Sequence, residues 1–172
     1  MRRIILFFLL LSSIQGRAQL NTRETVEYID QRFKYLTNLQ RTYYPGLSYR
    51  LSDLAIGADA RNMAKIIIGY TRNNSDKTVE DLQYVFDPTH ITTITASSDA
   101  SDDTIGLIEI KFLGNTVLAK SRKLGEVTDT NKTSFIFPYL RTEPLEFERI
   151  KAAFLNLKKL YSLKKTPDPF AN

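Results

Sequence analysis

The chain reads as an α+β domain, with about seven mostly antiparallel strands in a small barrel or curved sheet between an N-terminal and a C-terminal amphipathic helix. Three observations predict it. Val26, Ile29, Phe33 and Leu36 recur at spacings of three and four, the period of one helix face. Between Leu47 and Leu140 the apolar residues instead alternate, or form short β-branched runs punctuated by Gly, Pro, Asn and Asp. From Phe147 the helical period returns through Ile150, Phe154, Leu157 and Tyr161.

Residues 1–18 stand apart from that domain. Arg2 and Arg3 precede an unbroken apolar run, residues 4–11, and Gly16 and Ala18 sit at positions −3 and −1 of a cut after Ala18. This is the layout of a secretory signal peptide. A membrane anchor needs about 20 apolar residues, and Gln15, Gly16 and Arg17 end the run too soon. The chain has no cysteine, so it lacks both the residue that a bacterial lipoprotein anchor modifies and any disulfide. The expectation is an exported bacterial envelope protein, periplasmic or extracellular, starting near Gln19 and without a transmembrane segment in its mature form. Residues 19–166 make one domain that folds on apolar burial alone, and residues 167–172 a loose tail. The formal charge of +5 falls to +2 when Arg2, Arg3 and Arg17 leave, so bulk charge does not call for nucleic acid.

Each element has its own signal. A helix is expected over residues 22–40, capped by Asn21 with Glu24 placed to return the bond, widened by Tyr28, Tyr35 and Leu39, and stopped by Pro45-Gly46. Leu47, Tyr49 and Leu51 alternate as a first strand, and residues 63–70 form an apolar run around Ile66, Ile67 and Ile68. Residues 82–86 are broken by Asp87-Pro88, and residues 90–95 are rich in Ile and Thr. Residues 105–112 place Gly106, Ile108, Ile110 and Phe112 on one face. Gly114-Asn115 then supplies a two-residue hairpin turn into a return strand over residues 116–122. Residues 134–138 are the last strand. In the C-terminal helix Pro144 takes a first-turn position, Glu143 and Glu146 suit the positive end of the dipole, and Lys158, Lys159, Lys164 and Lys165 crowd the negative end.

Strands closed by one amphipathic helix, with the closing segment EPLEFERIKAAFLNLKKLY at residues 143–161, resemble a pleckstrin-homology-like barrel, a layout also seen in small secreted bacterial proteins. The resemblance covers about residues 47–163. It implies a last helix that plugs one open end of the barrel; the helix before the strands is an addition to that pattern. Phosphoinositide-binding members carry several basic residues after the first strand. Here residues 52–62 have Asp53 and Asp59 against Arg61 alone, so headgroup binding is not implied.

No catalytic, cofactor or metal constellation stands out. A nucleophilic triad needs a base, and the lone histidine, His90, follows Asp87-Pro88 at the edge of a strand. Serines occur without a Gly-x-Ser-x-Gly elbow, and one histidine without cysteine cannot build a zinc site. Asp99, Asp102 and Asp103 are the densest acidic group, but their spacing does not fit a calcium loop and reads as a polar connection. Glu80, Asp81 and Glu109 are scattered as solvent-facing strand residues would be. The sequons Asn73-Asn74-Ser75 and Asn131-Lys132-Thr133 read as surface loops. Tyr43 and Tyr44, beside Pro45-Gly46, and the four lysines Lys158, Lys159, Lys164 and Lys165 are the candidate interaction surface. The expectation is a non-enzymatic envelope protein that binds another protein or a small apolar ligand, in a pocket between the barrel mouth and a helix. The alternative is a hydrolase using carboxylates in a cleft.

Overall fold

The computed structural model describes residues 20–44, 47–97 and 102–165. The expected leader, the Pro45-Gly46 turn, Asp99 and the C-terminal tail lie outside the described residues. Helix α1, Thr22–Lys34, opens with a capping box: Asn21 Oδ1 accepts from the Glu24 N–H at 3.0 Å, and Glu24 Oε2 accepts from the Asn21 N–H at 2.9 Å. It stops at Lys34 and not at Gln40. Thr37 and Asn38 are poor helix formers, and Asn38 takes a positive φ of 68° and donates its N–H to the Leu51 carbonyl at 2.8 Å. That bond turns the chain into strand β1, Gln40–Tyr44, where a helix end was expected.

The strands among the described residues form two antiparallel sheets and no closed barrel. The larger sheet has the order β1, β2 (Leu47–Asp59), β3 (Asn62–Asn74), β4 (Val79–Phe86), β7 (Val117–Lys123) and β8 (Glu126–Lys132). The smaller has β5 (Ile91–Ala96), β6 (Ile105–Phe112) and β9 (Ser134–Leu140). The Gly114-Asn115 hairpin does not form. Strand β6 pairs with β5 and β9, while β7 pairs with β4 and β8. The end of β6 is held by both neighbouring segments, since Phe112 N–H donates to the Thr133 carbonyl at 2.7 Å and Leu113 N–H to that of His90 at 2.8 Å. The chain therefore crosses to the other sheet at Gly114. The two-residue hairpin lies instead at Leu124-Gly125, both with positive φ (51° and 85°), as a right-twisted hairpin requires.

Two bulges keep apolar residues on one face. Between Ser52 and Ala55 strand β2 carries one more residue than β3, with Asp53 at φ 54°, so Leu51, Leu54 and Ile56 are all buried despite the odd spacing. The same device between Ile91 and Thr93 buries both Ile91 and Ile94. His90 does not begin a strand: it ends the 3-10 turn Pro88–His90, capped by Asp87.

Helix α2, Glu146–Lys165, starts just after Pro144, because Leu145 turns to φ 62° and its carbonyl takes the first helical bond from Arg149 at 2.9 Å. It packs on α1, on the 3-10 turn and on β5 and β9. No helix of the described residues is long and apolar enough to cross a membrane. A ring cluster joins every layer. Phe33 of α1 meets Phe137 of β9 at 5.4 Å, Phe154 of α2 meets Phe137 at 5.5 Å, and Phe86 of β4 meets Phe112 and Phe135, both at 5.2 Å. Each such pair adds about 0.5–1.5 kcal/mol beyond area burial.

Candidate functional site

Two concave regions stand out, on opposite chemical terms. The first is a groove of about 650 Å³ between the first turns of α1, the β2–β3 hairpin and the last turn of α2. Val26, Ala58, Met63, Ala64 and Tyr161 give it an apolar wall. Its rim carries Arg23, Glu27, Lys164 and Lys165. Arg23 pairs with Glu27 one turn on, at 2.7 Å. The Lys165 ammonium is anchored by Asp87 and by Thr89 Oγ1 at 3.0 Å. Burial acts to raise the Asp87 carboxyl, but hydrogen bonds from Lys165 and Thr89 outweigh it and hold that group below the usual carboxylate range. Lys164 lies over the Tyr161 ring at 5.2 Å.

The helix lysines thus divide. Lys164 and Lys165 line the groove, whereas Lys158 donates to the Ile91 carbonyl at 2.6 Å, tying α2 to the start of β5. Lys159 is exposed and is not part of the groove wall. Tyr43 and Tyr44 belong to the edge strand β1 and not to a loop; their side chains lie outside the described residues.

The second region is a cleft of about 480 Å³ between the inner face of the larger sheet and strands β6 and β9 of the smaller, which the sequence reading missed. Antiparallel register sets Arg72 directly between Leu51 and Glu80, and Tyr70 opposite Leu82. The Arg72 guanidinium is ion-paired with Glu80 and lies 5.7 Å from the centre of the Tyr49 ring. Its Nε is buried with no hydrogen-bond partner. The Tyr70 and Tyr84 rings lie 6.3 Å apart, and burial pushes the Tyr70 hydroxyl well above its ordinary value. Tyr49 is also raised, by burial that outweighs the pull of Arg41. Lys132 closes one side from the end of β8, and Leu107, Ile136 and Pro138 of the smaller sheet form the opposite wall. A signal for this cleft exists in the sequence. Ile66, Ile68, Tyr70 and Arg72 share one strand face, as do Glu80, Leu82, Tyr84 and Phe86, so two charges continue core-facing stripes.

Arg41 is 2% exposed at the back of this cleft. It donates from Nε to the Ile105 carbonyl at 3.4 Å and lies near Asp102, whose charge faces its own. Asp102 takes the backbone N–H groups of Thr42 at 2.9 Å and of Thr104 and Ile105 at 2.8 Å. Burial opposes its ionisation, but these bonds and Arg41 together hold its carboxyl below the usual range. Asp102 is therefore a structural staple between β1 and β6, and Arg141 braces the loop by donating to its carbonyl at 2.7 Å. No group of three or more potential metal ligands occurs among the described residues.

The scattered carboxylates are engaged locally. Glu80 is held by Arg72, Asp81 accepts from Thr71 Oγ1 at 2.9 Å, and Glu109 lies 3.4 Å from the Lys111 ammonium. His90 is half-buried with an unpartnered Nδ1. Comparison with known proteins adds no assignment: no family model, curated protein or solved structure matches this chain.

Proposed function

We propose that the protein is an exported, non-enzymatic binding module of the cell envelope, and that the groove between α1, the β2–β3 hairpin and the end of α2 is its site. Its ligand is a small amphipathic molecule with an apolar body and an anionic head. The observation that carries this reading is the uncovered apolar wall. Met63 stands 71% exposed beside Val26 and Tyr161 in a concave space of a size that small-molecule sites have. The rim sets the sign of the head group. Arg23, Lys164 and Lys165 outnumber Glu27 there, and the Lys164 ammonium has no carboxylate partner among the described residues. Export rests on the leader layout of residues 1–18. The succession of strands closed by α2 supports a distant pleckstrin-homology-like kinship, with the barrel opened into two sheets.

The test uses anilinonaphthalene sulfonate, an apolar body with an anionic head. Saturable fluorescence enhancement is expected. Met63→Asp and Lys164→Glu should each weaken it tenfold or more with the far-ultraviolet spectrum unchanged. Absence of saturable binding, or binding indifferent to both substitutions, overturns the groove as the site. Export is checked separately: the mass of the envelope-fraction protein should correspond to a chain beginning at Gln19.

A further inference from the structure

We infer that the cleft between the two sheets is a second binding site, built for a small aryl carboxylate. An arginine guanidinium presents its donors in a planar fork that matches a carboxylate. In Arg72 one terminal nitrogen of that fork is taken by Glu80, while Nε is buried and donates to nothing. Buried donors in native structures are almost always paired, so an orphan beside an open cleft marks a place where an acceptor is to arrive. The side chain as a whole is 36% exposed and lines the cleft, so a modest turn of the guanidinium brings Nε to an acceptor there.

Charge and walls narrow the ligand. Arg41 is balanced by Asp102 and Arg72 by Glu80, which leaves Lys132, with no ion-pair partner among the described residues, as the excess cation facing the cleft. An anion seated there lies between Lys132 and the Arg72 fork, whose orphan Nε it engages once the guanidinium turns toward the cleft. The remaining surface is not that of a site for a bare ion. Leu82, Leu107, Ile136 and Pro138 supply apolar walls, and Tyr49 and Tyr84 supply rings. A flat apolar body on the carboxylate covers them and adds ring contacts. Acetate or inorganic phosphate would satisfy the charge and leave the walls wet.

The experiment is calorimetric titration of the folded chain with benzoate, acetate and phosphate, repeated with Arg72→Gln and Lys132→Gln. Benzoate should bind saturably and at least tenfold more tightly than either small anion, and each substitution should weaken it at least tenfold. Arg72→Gln strands Glu80 and is a risk to folding; Lys132 is exposed on an edge strand, so its variant keeps the test valid. No saturable benzoate binding, or benzoate binding unchanged in Lys132→Gln, overturns the proposal. Phosphate binding as tight as benzoate overturns the aryl assignment. Because the groove is probed through Met63 and Lys164, either site can fail without the other.

Discussion

A carboxylate only 3% exposed at the start of a helix needs a cation within reach, and Arg32 brings one from the other helix. Its Nε donates to Glu146 Oε1 at 2.7 Å and a terminal nitrogen to Oε2, so the pair is a fork-to-fork clasp between α1 and α2. Such a pair adds little net stability, but removing one partner is costly. Arg32→Met is expected to lower unfolding free energy by about 3 kcal/mol, read from urea denaturation. Asp102 makes a prediction about pH. Its folded-state carboxyl is held below the ordinary value of about 3.9. Its stabilising effect is therefore full above about pH 4 and is lost as pH falls through the lower folded value. Asp102→Asn should flatten the acid limb of the stability curve while leaving a smaller pH dependence from Asp87, which is shifted the same way. Gly106 is a third instance. A Cβ there would overlap the Tyr139 ring, which lies across it from β9. Gly106→Ala should cost about 1–3 kcal/mol by displacing that ring from its contact with Phe147.

At the level of elements, legibility followed the strength of the local pattern. Helix α2 and strand β6 were readable because their stripes run unbroken for their whole length. Strand β1 was hidden because Leu36 and Leu39 continue the helical spacing of α1, although Leu36 is already in a turn and Leu39 packs on the core from beyond it. Strand β8 was hidden because EVTDTNK has no apolar alternation and is exposed throughout; it is placed by its ladder with β7 alone. The Gly114-Asn115 signal was real turn chemistry overruled by distant pairing partners. At the hairpin that does form, Leu124 is 81% exposed and holds a positive φ at the expense of its Cβ. Leu124→Asn is expected to stabilise by about 0.5–1 kcal/mol, seen as a raised thermal midpoint, since Asn-Gly is the preferred pair for such a turn.

For the molecule as a whole, the phenylalanine cluster takes the place of disulfides. Phe154 is fully buried and touches both Phe86 of the larger sheet and Phe137 of the smaller. Phe154→Ala should cost about 3–5 kcal/mol, a large part of the margin of a domain this size, with loss of near-ultraviolet ellipticity at lower denaturant. The α+β class was legible because it follows from periodicity. The partition into two sheets was not, because strand partners are fixed by contacts far apart in sequence. The cleft was harder still: Tyr49, Arg72, Glu80 and Lys132 come from four strands, and only their register brings them together.

Thr133 alone separates the last strand of one sheet from the last strand of the other. Strands β8 and β9 are thus a single ribbon, carrying Lys132 on one side of that residue and Ile136 on the other, and its midpoint carbonyl is clasped by the Phe112 amide. Any molecule that draws the cleft walls together loads this ribbon at both ends. The Phe112 amide, which does not line the cleft, should then exchange its proton with solvent more slowly when the cleft is filled. One peptide bond would report occupancy, and deuterium uptake would register a guest too weakly held to survive purification.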